Sequence, residues 1–324
     1  MKNKYSFGKI LFLLILVVAG YVLFKHFDQS KQIIDALTAG DWRWVMLAVI
    51  VQIFYYPLYA KYLKIYFNFF GLNYTFKNLL QLYCASKFTD VALPIATVGK
   101  VALYSAEAKK EGKPVVSATF AALTVAIGDL AIFWVIALLP FLFFGDNHVA
   151  GGYYKTAFLI FTLIVFVLGT VALLYMKNRK FGKKIFDWLS GSLKKFGIDL
   201  PGEESPKVSG RIREYLPKAF YLGLILQLIN IVTLGLILLA FGQGSHLYQT
   251  LIFYAVGTLF TVVSITPQGA GVAEGAMTLA MTSLGMPVGN ALLIVLSYRG
   301  ILYWIPFILG FWPFHRLNLF NQTK

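Results

Sequence analysis

The sequence is short of charge. Only 13% of its 324 residues are Asp, Glu, Lys or Arg, where soluble globular domains carry about 25%. That scarcity argues against a water-soluble fold, a disordered tail and a nucleic-acid-binding domain. Acids are the rarer sign, 14 against 29 bases for a net charge of +15. In a polar chain such a balance would suggest nucleic acid. Here 58% of residues are in the AVILMFWYC set, so the question becomes which side of a membrane the cations occupy. Cysteine is nearly absent: Cys84 alone excludes an intrachain disulfide and a Cys-based metal site. There is no Ser/His/Asp constellation, no HExxH, no P-loop and no Gly-rich βα turn. His26, His148, His246 and His315 fall at span ends or in loops. The chain reads as a non-enzyme without cofactor or metal.

Long hydrophobic runs are what it has. A transmembrane helix needs about 20 mostly apolar residues, and 8–24, 44–60, 115–144, 157–176, 219–241 and 290–312 qualify. The last carries one charge, Arg299. No small-x-small cleavage site closes the first run, which therefore reads as an uncleaved anchor. With the N-terminus in the cytoplasm, 22 of the 29 bases fall inside, eleven of them in the 177–218 loop. Only Lys25, Lys31, Arg43 and Lys155 fall outside. The positive-inside rule selects that orientation. The loop interleaves Lys177, Arg179, Lys180, Lys183 and Lys184 with Phe181, Ile185, Trp188 and Leu189. It reads either as an ordinary basic loop or as an amphipathic helix on anionic lipid.

Two apolar segments are broken in the middle, 78–109 at LPIATVGK (Leu93 to Lys100) and 248–286 at TPQGAGVAEG (Thr266 to Gly275). Proline and glycine interrupt helices, and broken backbone survives in a bilayer only inside protein or beside water. Both segments read as re-entrant helical hairpins. Pro94 stands 20 residues before Pro114 and Pro267 stands 20 before Pro287, with GKPVVSA and GMPVGNA around the later prolines. Each half holds three full crossings, so the second is inverted relative to the first, an arrangement used by transporters. The chain thus reads as an all-α polytopic membrane protein: six full transmembrane helices and two re-entrant hairpins in an inverted repeat. It forms a single integral membrane domain over 1–324. The first half is 1–176, the basic cytoplasmic loop 177–218 and the inverted second half 219–324. One alternative stays open: 248–265 is long enough to cross alone.

Six charges remain within the apolar segments: Lys87, Asp90, Lys100, Asp129, Glu274 and Arg299. Each costs at least ~2.5–3.5 kcal/mol on insertion scales unless paired or wet. Lys87 and Asp90, three apart, read as a pair on one helix face. Asp129 and Arg299 read either as a strut between the halves or as substrate groups. Glu274 falls in the first turn of a half-helix, where the dipole favours a carboxylate. Lys100 at the other half-helix start either meets a phosphate or carboxylate there or snorkels to water.

Pro267, Gly269, Gly271 and Glu274 form P-x-G-x-G-x-x-E, followed by a span with Arg299, Pro306 and Gly310. With Pro94-x4-Gly99 ahead of a span containing Asp129, the chain resembles the lysylphosphatidylglycerol synthase transmembrane region, a flippase-like family, over roughly 8–312. The resemblance implies a lipid translocator in a bacterial or archaeal cell (inner) membrane. Its partners would be anionic or zwitterionic membrane lipids, with no nucleic acid. In two-domain members a cytoplasmic aminoacyltransferase follows. About a dozen residues follow the last span here, so that domain is expected to be absent and a separate lipid-modifying enzyme is a possible partner. The chain departs from the family pattern at Lys100, Ala102, Leu103, Val125 and Ala126, which bears on the aminoacyl-lipid substrate more than on the fold; the expected lipid is one with a polar headgroup, aminoacylated or glycosylated. The expected substrate-binding set is Lys100, Glu274, Asp129, Arg299, Gly269, Gly271, Pro94 and Pro267. An ion-coupled transporter of a small solute and a non-transporting partner of a lipid- or glycan-modifying enzyme are the alternatives.

Overall fold

The computed structural model describes residues 40–92, 96–144, 151–177, 191, 212–244, 246–264 and 266–316. The expected first span, nearly all of the basic loop, and Pro94 lie outside them. The described residues are helical, without a strand. They form α1 (Trp42–Phe69), α2 (Phe76–Ala92), α3 (Ala96–Lys110), α4 (Val115–Phe144) and α5 (Gly151–Lys177). These are followed by α6 (Ile212–Ala240), α7 (Leu247–Val263), a 3-10 turn (Pro267–Gly269), α8 (Val272–Ser283) and α9 (Val288–Arg299). A π-helical stretch (Gly300–Trp304) then leads into α10 (Ile305–Arg316). Four helical stretches are long and apolar enough to cross a membrane: Trp42–Phe69, Val115–Pro140, Arg213–Ala240 and Val288–Arg316.

α1 and α6 pack along their length and run antiparallel. The Asp41 backbone N–H donates to the Ala240 carbonyl at 2.8 Å, while the Asp41 carboxylate caps α1 by accepting from the Arg43 N–H at 3.0 Å. Midway, Gln52 Nε2 donates to Asn230 Oδ1 at 3.4 Å and Thr233 Oγ1 donates to Gln52 Oε1 at 3.2 Å. α2 packs antiparallel on α10. Gly310 permits that approach, because a Cβ there would lie 2.5 Å from the Cys84 carbonyl oxygen. Phe88 stacks on Phe307 and touches Phe311 and Phe314.

Several of the helix contacts come in matched sets. α2 packs on α3 and α7 on α8; α3 packs on α4 and α8 on α9; α1 packs on α2 and α6 on α7; α2 packs on α10 and α7 on α4. Buried apolar side chains form two clusters. Tyr59 to Val125 supply most of one, with Leu226; the other runs from Ala48 and Phe133 through Ile231 to Leu302. Polar residues break the apolar sequence of the helices between these clusters: Gln52 and Tyr55 on α1, Asp129 on α4, and Gln227 and Asn230 on α6.

Candidate functional site: a polar cavity beside two ion-paired helix starts

The polar residues between the two cores surround a cavity of about 130 Å³. Tyr55, Asp129, Gln227, Asn230, Tyr254 and Tyr303 supply most of its polar lining. α1, α4, α6, α7 and the π-helical stretch each bring at least one of them. Asp129 Oδ2 accepts from the Tyr59 hydroxyl at 2.7 Å. Gly128, its neighbour, leaves room for the hydroxyls of Tyr62 and Tyr66, which stand 3.3 Å apart; a Cβ at Gly128 would lie 2.3 Å from Tyr66 Oη. The Tyr254 hydroxyl donates to Gln227 Oε1. Among the described residues Asp129 makes no ion pair, and no group of acids and histidines suits a metal ion.

The other intramembrane charges are paired, in combinations that correct the sequence expectation. Lys100 Nζ lies 3.3 Å from Asp90 Oδ2, so the partner of Asp90 is Lys100 and not Lys87. The Lys87 ammonium sits over the rings of Tyr83 and Tyr55, 4.9 and 5.9 Å from their centroids, where the aromatic faces attract a cation. Arg299 does not strut against Asp129. Its Nε donates to Glu274 Oε1 at 2.8 Å, its Nη1 to Thr261 Oγ1 at 3.1 Å and its Nη2 to the Gln268 carbonyl. The guanidinium also lies over the Tyr303 ring at 4.0 Å. The pairing follows from chain path: Glu274 and Arg299 stand on α8 and α9, which pack on one another, whereas Asp129 faces α1.

The local backbone holds these groups in place. Gln268 is the one non-glycine with positive φ among the described residues, at 51°, inside the 3-10 turn that Pro267 begins. Gly269 has φ 68°, and a Cβ there would lie 2.6 Å from Thr261 Cα. Gly271, at φ 82°, donates its N–H to Glu274 Oε2 at 2.7 Å, so the carboxylate caps the start of α8 as well as binding Arg299. Gln268 Nε2 donates to the Asp90 carbonyl at 3.2 Å. A continuous polar chain therefore runs Glu274–Arg299–Gln268–Asp90–Lys100. The π-helical stretch directly after Arg299 sets the register that brings Tyr303 under the guanidinium; such bulges recur at functional sites.

Of the expected residues, Asp129 lines the cavity. Lys100, Glu274 and Arg299 belong to the ion-paired chain, Pro267, Gly269 and Gly271 shape the turn beneath it, and Pro94 lies outside the described residues. The sequence reading overlooked Tyr55, Tyr59, Gln227, Asn230, Tyr254 and Tyr303. Gln227 and Asn230, three apart in an otherwise apolar run, carried a readable signal, as did the tyrosines at 55, 59, 62 and 66 on one face of α1.

Two archaeal membrane proteins are similar to this chain along most of its length. The chain is 25% identical to a UPF0104 membrane protein of Methanocaldococcus jannaschii, covering 96% of this chain and 95% of that protein. It is 21% identical to a UPF0104 membrane protein of Archaeoglobus fulgidus, over 82% of this chain and 84% of the relative. The family model described as "Lysylphosphatidylglycerol synthase TM region" matches residues 9–310. That match takes in the turn at Pro267–Glu274, the paired Arg299 and the cavity acid Asp129, and the chain belongs to this family of multi-pass membrane proteins.

Proposed function

We propose that this chain is a lipid translocator. It moves the polar headgroup of an anionic or zwitterionic lipid between leaflets through the Asp129 cavity while the acyl chains stay in the bilayer. The observation that carries the reading is a carboxylate, Asp129, that has no ion-pair partner among the described residues and lines a polar cavity between apolar helices. An intramembrane ionisable group of that kind is by default a functional group. Asp129 receives the hydrogen-bond donors or positive charge of the headgroup; Gln227, Asn230 and Tyr254 offer further neutral partners.

The proposed architecture is six crossings and two re-entrant hairpins, α2–α3 and α7–α8, with the N-terminus cytoplasmic. The hairpin arms support it by length. They have 17, 15, 17 and 12 residues, or about 26, 23, 26 and 18 Å at 1.5 Å per residue, against a hydrocarbon core of ~30 Å. The matched packing relations and the antiparallel α1–α6 pair support an inverted repeat, since a two-fold axis in the membrane plane makes equivalent spans antiparallel. A headgroup enters as the two cores move apart. The Gln268–Asp90 bond, joining the two hairpins, is placed to break in that motion, and Lys100 and Arg299 then become available to phosphate.

Reconstituted proteoliposomes carrying headgroup-labelled lipids, with an impermeant quencher added outside, test the reading. Wild type should accelerate loss of inner-leaflet label over empty vesicles, and Asp129→Asn should remove the acceleration. No acceleration with anionic, aminoacylated or glycosylated lipids would reject it. A second reading, ion-coupled uptake of a small solute, draws on the same unpaired acid and the small cavity. Uptake that depends on a proton or sodium gradient, without lipid movement, would select it.

A further inference from the structure

A second and larger cavity, of about 310 Å³, lies away from Asp129, where the first turn of α2, the last turns of α3 and the end of α10 meet. Asn78, Gln81, Glu107, Lys110, Trp312 and Arg316 line it. Glu107 is only 7% exposed, and its Oε2 is buried without a hydrogen-bond partner. A buried carboxylate oxygen without a hydrogen-bond partner carries a desolvation cost. Two cations share the cavity with this one acid, and the Arg316 guanidinium is held over the Trp312 ring at 4.3 Å. Trp312 is 65% exposed at the end of an apolar helix, the usual depth of interfacial tryptophan.

We propose that this cavity binds a phosphate group bearing an ammonium, with Lys110 and Arg316 on the phosphate and Glu107 Oε2 accepting from the ammonium. Two cations match an anion, and Arg316 can engage phosphate oxygens in bidentate fashion. The orphaned oxygen then gains a charge-assisted partner, which a neutral hydroxyl replaces less well. The ligand chemistry is that of a phosphoethanolamine, whether on a lipid or on a soluble compound. The site is separate from the translocation cavity and stands or falls independently of it.

The test uses the full-length protein in phosphatidylglycerol nanodiscs, titrated with glycerophosphoethanolamine, glycerophosphoglycerol and inorganic phosphate while tryptophan emission is followed. A saturable change that disappears in Trp312→Phe is expected, with glycerophosphoethanolamine bound about tenfold tighter than glycerophosphoglycerol, a difference of ~1.4 kcal/mol. Glu107→Gln should bring the two within about twofold, and Arg316→Ala should weaken both. Phosphatidylethanolamine nanodiscs separate the sources. Competition by that lipid against the soluble probe assigns the cavity to a lipid headgroup; an unchanged titration assigns it to a soluble phosphate compound. Absence of any saturable Trp312-dependent change in either nanodisc overturns the proposal, as does an ethanolamine preference that survives Glu107→Gln. Should Glu107→Gln fail to fold, Arg316→Ala at the exposed helix end decides: unchanged affinity there overturns it equally.

Discussion

Gln268 and Asp90 are 178 residues apart, yet the Gln268 side-chain amide donates to the Asp90 backbone carbonyl at 3.2 Å. The donor sits in the turn between α7 and α8, and the acceptor stands near the end of α2. Two broken segments that are remote in sequence are thus joined by a bond from a residue in left-handed conformation. On either side of it lie the two partly buried ion pairs.

That strained conformation and that bond can be separated by substitution. Gln268→Ala keeps the positive φ of 51° and loses the amide, so both strain and the missing bond count against it. Gln268→Gly loses the same amide but relieves the strain, a difference of about 0.5–1 kcal/mol between the two variants. Thermal unfolding in detergent should place the glycine variant above the alanine variant, while the two translocate lipid equally. Unequal transport would mean that strain, rather than the tether, matters to the motion.

Lys100 offers a test of whether its charge is chiefly a binding group or a structural one. As a free cavity cation it could be removed at little structural cost. Paired with Asp90, which is 4% exposed and whose Oδ1 already lacks a partner, it leaves a buried charge behind. Breaking a fully buried pair costs about 3–5 kcal/mol; with the Lys100 side chain 23% exposed, the loss should be clearly smaller. Lys100→Ala should lower the melting temperature, and adding Asp90→Asn should restore much of it. A single variant as stable as wild type would contradict the pairing.

Gly310 tests the closeness of α2 to α10. A methyl group there meets the Cys84 carbonyl oxygen at 2.5 Å and the Phe88 nitrogen at 3.0 Å, both backbone atoms that cannot turn aside. Overpacking of this kind costs about 1–3 kcal/mol. Gly169→Ala, with nothing within 4 Å of its added Cβ, is the control and should gain about 0.5–1 kcal/mol from helix propensity. Melting temperatures should move in opposite directions. A shift of the same sign in both would show that α2 can retreat.

Much of this fold was legible in the sequence because hydrocarbon imposes strict rules on it. Apolar length gave α1, α4, α6 and the α9–α10 span, and the Pro/Gly clusters marked the break before α8. The six intramembrane charges are legible because the cost of a charge in hydrocarbon singles them out. Their partners were not legible. Lys87 and Asp90 have ideal spacing for a helix-face pair, but Lys100 returns on α3 to take Asp90, and the rings of Tyr83 and Tyr55 hold Lys87. Helix periodicity says which residues share a face; it does not say which neighbouring helix brings a competing group closer. The cavity was missed for the same reason. Its polar lining comes from five different elements, and although Asp129 stands out by its charge and Gln227 and Asn230 by their spacing, the pattern within one run does not show that they meet.

Gly128→Ala probes the cavity acid without touching it. The added Cβ would lie 2.3 Å from Tyr66 Oη and 2.9 Å from Tyr62 Oη. Both atoms are the tips of side chains, so the tyrosines can swing away and the helices need not separate. Stability should therefore change little. The hydroxyls beside Asp129 move, however, and the polar lining of the cavity is altered. If Asp129 and its tyrosine neighbours bind the headgroup, translocation in Gly128→Ala should fall by about tenfold, equivalent to ~1.4 kcal/mol in the barrier. Removing the nearest obstruction with Tyr66→Phe should return most of that activity, because the ring then fits past the methyl group and Tyr59 keeps its 2.7 Å bond to Asp129. The decisive comparison is between Gly128→Ala alone and Gly128→Ala with Tyr66→Phe, read by lipid translocation and by melting temperature. A double variant no better than the single one, at equal stability, would move the headgroup path away from Asp129 and towards the Lys100 and Arg299 pairs.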